Sequence, residues 1–223
     1  MNRAPLTGWA AIALGVGFNL PYALLALRFD YPAILRRPAA DILQAFSAGG
    51  PALVLIWWAF MLAALALVPL GAALAITPRR MATRPALTLG AALFAALAGT
   101  LQAVGLARWV FVVPHLHGTT AAAELALINA YGGVAIGEHL GQLLTALFVA
   151  ALAVLQWGER VRRLAIAGGL TALLLAIGTG EGLALALGAS GDRFALATIG
   201  GFLALTGWLV ATGTALIRAP RAA

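Results

Sequence analysis

The sequence predicts an all-α, polytopic membrane bundle: six transmembrane helices and two short extracytoplasmic surface helices. Three observations predict it. Hydrophobic residues fill 63% of 223 positions and charged residues 9%, against about 45–50% and about 25% in soluble domains. A globule of this size cannot bury so much apolar surface, so lipid must cover the remainder. Six stretches reach the roughly 20 mostly apolar residues that a membrane helix needs. Finally, the polar side chains inside those stretches fall toward one face of the membrane.

The spans are read at 6–27, 51–76, 86–113, 132–157, 164–187 and 194–217. No polar stretch is long enough for a second domain, so residues 1–223 are read as one integral membrane domain. The first run is longer than a signal-peptide core and has no convincing cleavage site, which makes it a retained helix. Pro51 and Pro85 stand at span starts, where a missing donor does no harm. Pro21 and Pro69 lie inside spans and should kink them. Asp41–Phe46 has apolar residues at helical spacing and reads as a short surface helix. Ala121–Ala130 reads as a second, capped by Thr119 or Thr120. Gly133, Gly137 and Gly141 line one face of the fourth span and are expected to pack closely on a neighbour, with Gly178 and Gly182 as a matching patch. The basic loops look like plain turns.

Orientation follows from the arginines, since the net charge of +7 contains no lysine. With an inside N-terminus, Arg3, Arg79, Arg80, Arg84, Arg160, Arg162, Arg163, Arg218 and Arg221 are cytoplasmic. Arg28, Arg36, Arg37, Arg108 and Arg193 lie outside. The larger group sets both termini in the cytoplasm. Arginine-only basicity and abundant Ala, Gly and Leu fit a GC-rich bacterial genome, hence an inner membrane. The partner this implies is the lipid bilayer, with a small-molecule ligand or a membrane protein as further candidates. The basic pI is a topology signal and does not indicate nucleic acid. Absence of cysteine removes disulfides and thiolate chemistry.

Ionisable groups inside a span are costly and are functional candidates by default. These are Arg108, Glu138, His139 and Glu181. Arg108, Glu138 and Glu181 fall about 9–12 Å outward of mid-span at 1.5 Å per residue. Their shared depth predicts an ion-paired cluster with Arg108 between two carboxylates. Glu138, Gln142 and Thr145 form a polar stripe on the fourth span. Asn19, Gln102 and Gln142 lie deeper, and either line a cavity floor or bond neighbouring helices. His115, His117 and His139 are the three histidines. With Glu138 or Glu181 they are a candidate metal set, although their spacing matches no strong zinc signature. No cofactor is specified beyond that metal. Trp57, Trp58, Trp109 and Tyr131 read mainly as an outer aromatic belt and Trp9 and Trp157 as an inner one; stacking of Trp57 or Trp58 on a ligand is the other reading. No catalytic motif is present, and catalytic residues are unassigned.

Several stretches carry a resemblance. They are Phe29-Asp-Tyr-Pro32 with Arg37-Pro-Ala-Ala-Asp41, Trp57-Trp-Ala-Phe60, Arg108-Trp-Val-Phe-Val-Val-Pro114, and Asn129 through Gly141. Together they resemble a bacterial multi-pass membrane family, domain-of-unknown-function family 4386. The resemblance implies a six-helix inner-membrane protein without a settled activity and transfers no catalytic residue. Two function classes stand side by side. One is a ligand- or proton-binding pocket built from Arg108, Glu138, His139, Gln142 and Glu181. The other is a non-catalytic scaffold or signalling partner in a stress response.

Overall fold

A computed structural model describes residues 4–219. These form helices and turns, with no strand among them. Helices α1 (Ala4–Gly17) and α2 (Asn19–Phe29) make the first span. α3 (Ala39–Ala75) makes the second, and a short α4 (Pro78–Thr83) leads into α5 (Pro85–Phe111). α6 (Ala121–Ile128) runs through a π-helical stretch, Asn129–Leu140, into α7 (Gly141–Gly158). α8 (Arg162–Gly178) with α9 (Gly180–Ala186), and α10 (Asp192–Arg218), complete the chain. Six of the resulting helices are long and apolar enough to cross a membrane. The protein is a multi-pass membrane helix bundle.

The spans stand in a ring in chain order. Each packs on its sequence neighbour, and α1 closes the ring against α10. Short connections enforce this, because consecutive antiparallel helices joined by a few residues become neighbours. Two packed cores fill the ring. One is aliphatic and alanine-rich, around Leu67, Leu74, Ala91, Ala95, Leu152 and Trp208. The other is aromatic, around Phe29, Phe46, Trp57, Phe60 and Trp109.

The observed helices contain the expected spans to within a residue, but their ends carry corrections. The expected first surface helix is present, yet it joins the second span through Gly50, whose φ of 58° and ψ of −157° suit only glycine. Pro69 lies inside α3 without breaking it; Gly50 is the non-helical position there. At Pro21 the nitrogen has no proton to give the Gly17 carbonyl, and the helical bonding is interrupted at Phe18, whose own φ of −65° and ψ of −32° stay helical. The expected second surface helix is α6, but it is continuous with the fourth span, giving one helix of 38 residues. Thr120 precedes it without a side-chain cap; its hydroxyl bonds Glu124 Oε1 at 2.8 Å instead.

Trp57 and Trp109 are not belt residues. Both are fully buried and stack on one another, with ring centroids 4.9 Å apart and planes 10° from parallel. Trp9, Trp58, Trp157 and Tyr131 are exposed, as belt residues are. The loop Arg79–Arg84 is more than a turn. Arg80 there grips Glu159 bidentately, both N···O distances being 2.7 Å, and donates to the Leu74 carbonyl at 2.5 Å.

Candidate functional site

At the end of the bundle away from Arg80, the helices enclose a cavity of about 620 Å³. This lies in the range of small-molecule sites, about 300–1,000 Å³. One wall is aromatic: Phe18, Tyr22, Tyr31, Trp57, Phe60 and Phe202. The facing wall carries Arg36, Arg108, Glu138, His139 and Glu181. Asn19, Gln102 and Gln142 lie along it as well.

The fourth span builds the polar wall through close backbone approach. A β-carbon on Gly105 of α5 would fall 2.6 Å from the α-carbon of Gly137, so only glycine at both lets the helices meet. Gly133 lies under the Arg108 guanidinium and Gly141 against Gln102. On the helix's other side, Gly178 meets Gln142 and Gly182 meets His139. The intervening π-helical stretch has wider turns than an α-helix, an arrangement that is rare and frequent at functional sites.

The charges are partnered unequally. Arg108 is buried, donates from Nε to Asn129 Oδ1 at 2.9 Å, and donates from Nη1 to the Gly105 carbonyl. Its guanidinium lies 5.1 Å from the Trp109 ring centroid. The expected ion pair between Arg108 and Glu138 or Glu181 is not formed. Glu181 is taken by Arg36, which the loop after α2 folds back across the mouth. Glu138 makes no hydrogen bond and no ion pair among the described residues; Arg108 and Arg36 act on it at longer range. His139 Nδ1 lies 2.9 Å from the Thr179 carbonyl. A carbonyl only accepts, so Nδ1 carries the proton and Nε2 is the nitrogen left to accept. Burial, and secondly the Glu138 charge, hold the Tyr31 phenol well above its ordinary range.

The deeper amides both line the cavity and bind helices. Gln142 Nε2 donates to the Leu175 carbonyl at 2.9 Å and Thr198 Oγ1 at 3.3 Å. Gln102 Nε2 donates to Thr145 Oγ1 at 2.7 Å. Asn19 Nδ2 donates to Thr206 Oγ1 at 2.8 Å. The candidate metal set is not brought together. His115 and His117 are exposed and stand off the cavity wall, His115 at the end of a 3-10 turn, Val113–His115, and His117 just beyond it. No group of three or more metal-ligating side chains converges among the described residues.

A family model, the domain of unknown function DUF4386, matches residues 6–213. The chain belongs to the DUF4386 family. No curated protein and no solved structure matches it. In this DUF4386 chain, sequence reasoning missed Arg36, Tyr22 and Tyr31 as cavity residues and Asn129 as the partner of Arg108. Arg36 counted only toward orientation. Asn129 had one usable signal: it is a polar residue at the entry of the glycine-rich span. The tyrosines had none, since the packing of α2 on α3 and the fold-back of residues 31–36 are tertiary events.

Proposed function

We propose that this DUF4386 protein resides in a bacterial inner membrane with both termini cytoplasmic, and that its cavity binds a small ligand or a proton from the outward half of the bundle. The arginine asymmetry supports the orientation. One observation carries the binding reading. Among the described residues Glu138 lines the cavity without a hydrogen-bond or ion-pair partner, while Arg36, Arg108, His139 and Glu181 all have one. A carboxyl group inside a membrane span is expensive unless a proton, a donor or a cation meets it. Its position beside an aromatic-walled void leaves that partner to come from outside the chain. Glu138 is then the group that exchanges the proton or meets the ligand's donor. Arg108, held in place by Asn129 and the Gly105 carbonyl, supplies the complementary cation. His139 Nε2 adds an acceptor.

Dicyclohexylcarbodiimide, an apolar reagent for protonated carboxyls, tests this directly. Treatment of the purified protein followed by peptide mass spectrometry should place the adduct on Glu138, with less adduct as pH rises and none in Glu138→Gln. A folded protein that stays unlabelled at Glu138 at every pH would overturn the reading.

A further inference from the structure

The cavity has a side opening, and it lies where lipid would be. In its lower half α1 is zipped to α10. A β-carbon on Gly8 would lie 2.6 Å from the Gly213 carbonyl oxygen, and one on Gly15 would lie 3.3 Å from the Thr206 carbonyl oxygen and 3.6 Å from Val210. Phe18 stacks on Phe202 at the break, with ring centroids 6.1 Å apart. Past Asn19, which still donates to Thr206 of α10, α2 leans onto α3 and scarcely touches α10. The flank of α10 that meets α1 through Thr206 and Val210 continues by helical period to Leu203 and Ile199. Those two residues line the cavity, yet they are 60% and 39% exposed. A side chain that is both cavity wall and outer surface marks an edge. The edge runs along the apolar span, between α2 and α10, beneath the Tyr31–Arg36 segment that Arg36 ties to Glu181.

The interior matches what such an opening would admit. At about 620 Å³ the cavity is of single-ligand size, which suits one hydrocarbon chain. The aromatic wall offers a chain apolar surface from the slot inward. At the far side, Arg108 Nη2 has no hydrogen-bond partner among the described residues, and Glu138 has none either. One unspent donor and one unspent acceptor face a shared void.

We propose, building on the binding reading above, that the cavity takes a long-chain fatty acid directly from the bilayer through the slot between α2 and α10. The acid's carbonyl oxygen accepts from Arg108 and its O–H donates to Glu138, while the chain lies along the aromatic wall. Reaching the site by way of lipid spares the charged mouth, which the Arg36–Glu181 contact covers.

Dibromostearic acid is a suitable probe, because bromine on the chain quenches nearby tryptophan, and Trp57 stands in the aromatic wall. The full chain is placed in phosphatidylcholine nanodiscs. Quenching should saturate, be reversed by stearic acid and be untouched by butyric acid. Glu138→Gln should weaken it by about ten-fold, because the amide oxygen that replaces the carboxylate accepts without the charge. Leu203→Phe, a change on an exposed flank that leaves the core intact and adds no tryptophan, should slow its onset by obstructing the slot. Equal competition by butyric acid would mean a site fed from water and would overturn the lipid route. Quenching that rises linearly with probe and is the same in both variants would mean bulk bilayer lipid only, and would overturn the proposal. The carbodiimide adduct separates the two levels. If Glu138 labels but stearic acid gives no protection, only the fatty-acid inference falls; if Glu138 does not label at all, the binding reading falls with it.

Discussion

The two ends of the bundle use the same kinds of residue to opposite effect. At one end Arg80 spends all three of its guanidinium nitrogens. Nε and Nη2 hold the two oxygens of Glu159, and Nη1 holds a carbonyl of α3. Around this clamp the core is small and aliphatic, and helices sit close. At the cavity end Arg108 is held by a neutral amide and a carbonyl, and the carboxylate nearest in character to Glu159, Glu138, is left without a direct contact. The core there is aromatic, and it surrounds a void. Buried charges kept for structure are paired to completion, because an unpaired remainder is costly. Charges left incomplete beside a void are the ones available to something else.

Four substitutions test this contrast, in descending order of expected effect on stability. Arg80→Ala should cost about 3 kcal/mol, since it strands Glu159, which is 23% exposed, and frees a carbonyl. Thermal unfolding in detergent, read by tryptophan fluorescence, measures it; a loss under about 1 kcal/mol would make the clamp an ordinary surface pair. Gly105→Ala should cost about 2 kcal/mol by pressing a methyl onto the Gly137 backbone. Unchanged melting would show that α5 and the fourth span slide freely. Arg36→Ala should cost under about 1 kcal/mol, because its side chain is 40% exposed. Its signature is elsewhere: acrylamide should quench the buried tryptophans faster once the mouth loses its tie. Glu138→Gln should change stability least, within about 0.5 kcal/mol, because no direct contact is lost. A large loss there would reveal a structural partner and erase the contrast between the ends.

Much of this was legible in the sequence. Length and apolarity alone placed the six spans, because a bilayer demands about 20 apolar residues whatever the tertiary packing. Depth counting put Arg108, Glu138 and Glu181 in one layer, and they do line one cavity. Pairing within that layer was not legible. It depended on residues 31–36 folding back to bring Arg36 to Glu181, and on Asn129 reaching Arg108 from the start of a π-helical stretch. Trp57 and Trp109 show the same limit. Their positions near a span end suited a belt, and their burial came from the bend at Gly50, which brings Phe46 against Trp109. The Arg80–Glu159 clamp joins α4 to the end of α7 across 79 residues, a distance that no local pattern reports.

The π-helical stretch also decides which of its residues share a face. Its turns close from each residue to the fifth along and so hold about one residue more than an α-turn. Asn129 and Glu138 are nine residues apart, which at about 3.6 residues per turn is about two and a half turns and would set them on opposite faces. With about one residue more in each turn, the same nine residues come close to two whole turns and return to one face. That is the face where Asn129 meets Arg108 and Glu138 lines the cavity beside it. The winding of this segment, rather than its helical propensity, is what the cavity depends on.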